Sequence, residues 1–139
     1  MNLFDLIVEK YPKLYITKLT NNELKFQPEN DNGYVEYKCT LSNCSAEKAT
    51  KYATQMQWRV TENDKNEYAT YYIGVKDDGC ILGLTDIDAM ESIDKFVEIT
   101  NMINARIIKI NLIDITNLLV LQINVKIKKV KNNYLTDFT

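Results

Sequence analysis

Tyr72-Ile73-Gly74-Val75-Lys76-Asp77-Asp78-Gly79-Cys80-Ile81-Leu82-Gly83-Leu84 is the stretch that decides the fold. It holds three of the four glycines, and it places Asp78-Gly79 between two short apolar runs. Asp-Gly in this position favours a type I′ hairpin, because both central residues of that turn need a positive φ. The sequence therefore predicts that a strand over Tyr68–Val75 ends in a tight turn and that Cys80–Leu84 forms the returning arm.

The segment before this hairpin is predicted to be an amphipathic helix that ends in Gln55-Met56-Gln57-Trp58-Arg59. Trp58 lies beside the apolar stripe and is predicted to be a partial core anchor. Lys51, Gln55 and Arg59 repeat every four residues on another face, which is interpreted as a solvated face or as a contact to phosphate or the ribosome. The apolar stripe follows helical spacing and consists of Ala49, Tyr52, Ala53, Met56 and Val60.

Residues that alternate between apolar and polar predict strands on both sides of this helix. Val35 to Leu41 alternate, with Glu36 and Lys38 interpreted as a charge pair on a solvent face. Arg106 to Ile115 is rich in isoleucine and is predicted to be a central strand. Leu119 to Ile127 alternate with polar residues that should face solvent.

A second helix is predicted from Asp86 to Asn104, with Thr85 or Asp86 as its cap. Paired strands and two main helices predict a two-layer α+β domain with a mixed or antiparallel sheet. The 139 residues are enough for one domain. Within it, residues 1–34 are predicted to be an N-terminal extension, 35–130 the core, and 131–139 an edge leading to a connection.

Composition is that of an ordinary globular protein, with 45% hydrophobic residues, 26% charged residues and a net charge of −2. A nearly neutral chain has no overall attraction to nucleic acid or anionic membrane, although a local basic face remains open. Neither a signal peptide nor an apolar run of membrane-spanning length is visible. We therefore expect a cytoplasmic protein without a membrane partner.

The chain has no histidine, which excludes Ser-His-Asp and Cys-His sites built from this chain alone. Cys39, Cys44 and Cys80 show no C-x-x-C spacing, which argues against a zinc site or a disulfide framework. We expect free thiols in a reducing compartment and no metal.

The order of these elements resembles the N-terminal domain of the elongation-factor-like GTP-binding protein family (members 1 and 2). The resemblance runs from about Val35 to about Val130. Glu36-Tyr37-Lys38 is similar to the family's first strand, and the helix ending in Gln55–Arg59 is similar to its Gln-Met-x-x-Arg helix. The tyrosine strand, Asp78-Gly79 and Gly83-Leu84 follow in the same order.

This resemblance implies an accessory or regulatory domain of a translational-type GTPase. The implied partners are a downstream GTPase domain and the ribosome or RNA, and GTP and magnesium are implied for the parent protein. The chain itself lacks the phosphate loop G-x-x-x-x-G-K-[ST]. Gly74 and Gly79 have a similar spacing, but Cys80 follows where lysine is required.

A more distant resemblance is to Schlafen-type domains, which share a Glu-x-Lys strand followed by a Gly-Val-Asp-Asp-x-Gly strand. Nuclease members of that family use three carboxylates, which hold a metal ion that activates water. Here Asp31, Glu36 and Asp77 or Asp78 would supply them. The family's small-residue stretch before the glycine strand is absent, since Glu62 to Tyr68 stand in its place.

A third hypothesis is a free-standing interaction module without catalysis. For the regulatory-domain hypothesis, the lysines of the last strand are predicted to face either the GTPase domain or ribosomal RNA, and they are also interpreted as cations that protect a sheet edge. Tyrosine side chains could stack on bases, although tyrosine is also a common strand residue. The residues concerned are Lys126, Lys128, Lys129, Tyr68, Tyr71 and Tyr72.

Overall fold

The computed structural model describes residues 2–30, 33–62 and 68–127. In these ranges the chain forms three helices and one five-stranded sheet. The helices are α1 (Leu3–Lys10), α2 (Ala46–Glu62) and α3 (Asp86–Met102), and the strands are β1 (Ile16–Thr20), β2 (Val35–Lys38), β3 (Tyr68–Ile73), β4 (Ala105–Ile115) and β5 (Leu118–Ile127). The predicted α+β class is confirmed, and α1 adds a helix to the two main ones.

The sheet is mixed and has the strand order β1-β4-β5-β3-β2. β1 runs parallel to β4 and β2 runs parallel to β3, whereas β5 is antiparallel to both of its neighbours. β4 is an interior strand, as its isoleucine content predicted. β5 lies at the centre of the sheet, so its interpretation as a sheet edge was wrong.

The helices cover one face of the sheet and enclose the larger core. The predicted stripe of α2 faces this core, since Ala49, Ala53, Met56 and Val60 are each no more than 4% exposed. α3 begins after Thr85, whose hydroxyl accepts a hydrogen bond from the Asp88 backbone N–H. These helices pack on alternate residues of the central strands, including Tyr71, Ile110, Leu121 and Ile123.

The opposite face is covered by loops along only part of its length. Phe26 packs edge-on against Tyr37 and Tyr72, with ring centroids 5.7 and 4.7 Å away. A second, smaller core lies beneath Phe26 and contains Tyr37, Val75, Ile113, Ile115 and Val120. Further along β5 the same face carries polar side chains instead of an apolar cluster.

The Asp78-Gly79 turn differs from the predicted type I′ turn. Only Gly79 has a positive φ, of 92°, and its N–H donates to the Lys76 carbonyl, so Asp77 and Asp78 are the central residues. The Asp78 carboxylate accepts from the Cys80 N–H and holds this arrangement. A turn with two positive φ values occurs instead between β4 and β5, at Thr116 and Asn117.

Candidate functional site

The sheet face opposite the helices is not covered by loops along its whole length. Its uncovered part carries cationic and aromatic side chains from three adjacent strands. Lys126 of β5 lies directly opposite Arg106 of β4 on one side and Tyr68 of β3 on the other. One pair further along, Asn124 lies opposite Lys109 and Thr70. Directly paired residues point to the same face of a sheet, so these side chains share one surface.

This surface forms a shallow concavity of about 550 Å³. Tyr34, which precedes β2, is 42% exposed, and its ring centroid lies 5.0 Å from that of Tyr68. We call the surface the open-face patch; its lining residues are Tyr34, Tyr68, Thr70, Arg106, Ile108, Asn124 and Lys126.

The open-face patch is positively charged. Its described lining contains Arg106 and Lys126 but no acidic residue. Lys109 adds a cation beside the patch, with its Nζ 5.2 Å from the ring centroid of Tyr15. None of these three cations takes part in an ion pair with another described residue. Like charges directly opposite each other destabilise a strand pair, so Arg106 and Lys126 carry a local cost in the isolated protein.

A row of hydrogen-bonded polar side chains separates the patch from the smaller apolar core. The Asn111 amide donates to the Gln122 carbonyl oxygen at 2.5 Å, and the Gln122 amide donates to the Tyr72 hydroxyl at 2.7 Å. Thr17 extends the row by donating to Asn111. The row therefore spans four strands and fixes the floor next to the patch.

Arg59 does not belong to an exposed row, in contrast to the predicted solvated face. Its side chain is 11% exposed and turns towards β2, where Nε donates to the Glu36 carboxylate at 2.7 Å. Nη2 lies 3.2 Å from Glu29, and Nη1 donates to the carbonyls of Asn30 and Gly33. Arg59 thus joins α2 to the loop before β2.

Glu36 and Lys38 form the predicted charge pair, but on the helix-covered face and not on a solvent face. Lys38 Nζ lies 3.3 Å from Glu36 Oε1 and 4.1 Å from the ring centroid of Tyr52. Burial raises the pKa of the Glu29 carboxyl above its ordinary value of 4.5, and the charges of Glu36 and Asp77 raise that pKa further. The Tyr37 N–H and the Arg59 charge act in the opposite direction.

The proposed carboxylate cluster is not assembled within the described part of the chain. Both Glu36 oxygens are engaged by Arg59 and Lys38, Asp77 and Asp78 are exposed at the turn, and Asp31 lies outside the described residues. Residues 2–30, 33–62 and 68–127 contain no group of three His, Cys, Asp or Glu side chains suited to a metal ion.

The turn at Gly74–Gly79 does not fit a triphosphate. The N–H groups of Lys76, Gly79 and Cys80 all donate within the turn itself. Gly79 packs so closely on the Phe26 backbone that an added Cβ would meet the Phe26 oxygen at 2.4 Å. The GTP and magnesium implied by the resemblance therefore find no cradle in this loop.

The other predicted contact residues are distributed over different surfaces. Lys51 and Gln55 are exposed on α2, away from the sheet's open face. Trp58 is 65% exposed, so its prediction as a core anchor was wrong. Tyr71 is buried beneath the helices, and Tyr72 is half-buried against Phe26. Tyr68 is the tyrosine of that strand that lines the patch. Lys128 and Lys129 lie outside the described residues.

Comparison with known proteins gives one extensive match. Uncharacterized protein R625 of Acanthamoeba polyphaga mimivirus is 43% identical over 133 residues, which cover 96% of this chain and 71% of R625. The chain belongs to the R625 family. The match also implies that R625 has about 190 residues in total.

A second match is partial. The mouse and human forms of GTP-binding protein 2 are both 34% identical to this chain over 87 residues. These residues cover 63% of this chain but only 14% of GTP-binding protein 2. This chain is therefore similar to part of a GTP-binding protein. No protein-family model and no solved structure matches the chain. None of the described helices is long and apolar enough to cross a membrane.

Several residues in or beside the open-face patch could not be predicted from the sequence as parts of one site. No local pattern connects these residues, because they are spread over almost a hundred positions of the chain: Tyr15, Tyr34, Arg106 and Lys109. The alternation of Gln122, Asn124 and Lys126 was the available signal, since it marked a polar face on a strand. Because β5 is the central strand of the sheet, its polar residues lie in the middle of the open face and not at an edge.

Proposed function

We propose that this chain is a non-catalytic accessory module for a GTP-binding protein of the elongation-factor type, and that it contacts the ribosome or RNA. The similarity to GTP-binding protein 2 over 87 residues carries the proposal. The missing phosphate loop and the internally bonded Gly74–Gly79 turn support a binding role over a nucleotide-hydrolysing one.

The size of R625 favours a module that acts on a GTPase in another chain. It argues against a module that is followed by a GTPase domain in the R625 chain itself. About 55 of its residues lie outside the match, fewer than the roughly 100–150 residues of a typical domain. A module of this family thus occurs in a chain too short for a complete second domain of that size. We therefore propose that it serves its partner as a separate interaction module.

The first test measures GTP binding by calorimetric titration of the purified chain. We expect no saturable heat at micromolar GTP, because the sequence has no phosphate loop and the N–H groups of Lys76, Gly79 and Cys80 donate within their own turn. Saturable micromolar binding would contradict a non-catalytic role.

The second test asks whether the module functions beside a GTPase. Mouse GTP-binding protein 2 is prepared without its matching segment, and also with that segment replaced by this chain. We expect the chimera to pellet with purified eukaryotic ribosomes, and its GTP hydrolysis to rise in their presence, more than for the deleted protein. A chimera no different from the deleted protein, with no pelleting of the isolated chain either, would refute the proposal.

A further inference from the structure

The open-face patch combines the two features that single-stranded nucleic acids require of a protein surface. Cations hold the phosphates through charge, and aromatic rings stack on bases whatever their sequence. A β-sheet whose other face is covered by helices is a known support for such stacking in RNA-binding domains. Here the helices occupy one face, and the patch lies on the other.

The charge of the patch has no acidic counterpart among its described lining residues. Arg106 and Lys126 are directly paired across β4 and β5, and no acidic residue lines the concavity in the described chain. Protection of a sheet edge does not account for Lys126, because β5 has a neighbouring strand on each side. A bound polyanion would replace the repulsion between these two cations with attraction to phosphate.

Aromatic rings stand at both sides of the cations. Tyr34 lies beside Tyr68 near β2, and Tyr15, which is 61% exposed, lies just before β1. Five strands at a spacing of about 4.8 Å separate the edge strands by roughly 19 Å. This width accommodates the two or three stacked bases that sheet-based RNA binders hold.

We propose that the open-face patch binds single-stranded RNA, with phosphates on Arg106, Lys126 and Lys109 and bases stacked on Tyr34 and Tyr15. This inference rests on the proposed function, which is contact with the ribosome or RNA. It specifies the surface that makes this contact and the class of RNA that the surface binds. Asn124, in the floor of the patch, supplies an amide next to the stacked bases.

The experiment titrates the full chain into a fluorescently labelled single-stranded RNA of about 12 nucleotides and follows anisotropy at several salt concentrations. Three phosphate contacts predict that log K falls with log[salt] with a slope of about −2. The same RNA annealed to its complement should bind more weakly, because its bases are not free to stack.

Arg106→Glu is the decisive variant. It converts a like-charge pair with Lys126 into an opposite-charge pair, so its melting temperature should equal or exceed that of the parent, while RNA affinity falls at least about tenfold through loss of charge complementarity. The matched control is Lys48→Glu, the same charge change at an exposed position of α2, which should bind RNA as the parent does.

Tyr34 tests stacking separately from charge. Tyr34→Ala should lose about 5- to 150-fold in affinity, the range that corresponds to one stacked base, whereas Tyr34→Phe should retain the parental affinity. If either Arg106→Glu or Tyr34→Ala binds RNA like the parent, the inference is wrong.

Two further outcomes separate this inference from the proposed function. If the parent binds ribosomes and Arg106→Glu does so equally well, the module role stands and the patch is not its RNA site. If ribosome binding depends on Arg106 but no single-stranded RNA binds at low salt, the occupant is a ribosomal protein or structured RNA, and the single-stranded RNA inference fails.

Discussion

Arg59 is the residue on which the junction between α2 and the loop before β2 depends. Its guanidinium bonds to two carboxylates and two backbone carbonyls, and its side chain and those of Glu29 and Glu36 are only 10–11% exposed. Removing one member of a buried ion pair costs more than the pair itself contributes, because the remaining charge stays desolvated. Without Arg59, the buried carboxylates of Glu29 and Glu36 would lose the cation that neutralises them, and this loss would destabilise the folded protein.

We expect Arg59→Met to lower the free energy of unfolding by about 3–5 kcal/mol, measured by urea denaturation. Adding Glu36→Gln to Arg59→Met should recover part of the loss, since one uncompensated charge is then removed. Lys51→Met, an exposed position on the same helix, should change stability by no more than about 0.5 kcal/mol. Equal effects at positions 51 and 59 would show that the Arg59 network is not structural.

At the scale of elements, the Lys76–Gly79 turn follows β3 and packs against the backbone of Phe26. Phe26 and its neighbours, here called the Phe26 segment, cover the smaller core. Gly79 needs its positive φ of 92° for the turn, and it needs the absence of a Cβ to approach the Phe26 backbone. The contact holds the Phe26 segment over Tyr37 and Tyr72. Both requirements point to glycine.

Gly79→Ala should therefore destabilise the protein by at least about 1–2 kcal/mol, seen as a lower midpoint in thermal or urea unfolding. Gly33→Ala is the matched control, because a Cβ there meets its nearest atom at 3.5 Å and the backbone φ is not in the left-handed region. We expect that control to stay within about 0.5 kcal/mol of the parent. A harmless Gly79→Ala would mean that the Phe26 segment moves aside without cost.

At the scale of the whole molecule, residues before 35 complete both cores. β1 pairs with β4 from Ile16 to Thr20, and Leu3 and Ile7 of α1 are buried in the larger core. Phe26 covers the smaller core, and Glu29 accepts from the Tyr37 N–H at 2.8 Å. The segment from 1 to 34 thus supplies a strand, a helix and the cover of a second cluster.

A truncated chain of residues 35–139 should fail to fold cooperatively, since it exposes the edge of β4 and both apolar clusters. We expect it to bind the dye ANS and to lack a sigmoidal thermal transition by circular dichroism, whereas the full chain shows one. A truncated chain with the parental transition would show that residues 1–34 are dispensable for the fold.

Much of the domain follows from local periodicity in the sequence. The 3.6-residue spacing of Ala49 to Val60 and the two-residue alternation of Leu119 to Ile127 each describe one element and its buried face. These patterns depend on neighbours only a few residues away, so the α+β class and the main elements could be predicted. The missing phosphate loop is likewise a property of the sequence alone.

Tertiary structure decided what the charged and aromatic residues do. Arg59 has the spacing of an exposed residue, but its partners Glu29 and Glu36 are 30 and 23 positions away, and only folding makes burial of its charge favourable. Strand order placed β5 at the centre of the sheet, and register placed Arg106 opposite Lys126. Such contacts arise between residues distant in the chain, where no local period exists, and they create the surface that we propose binds RNA.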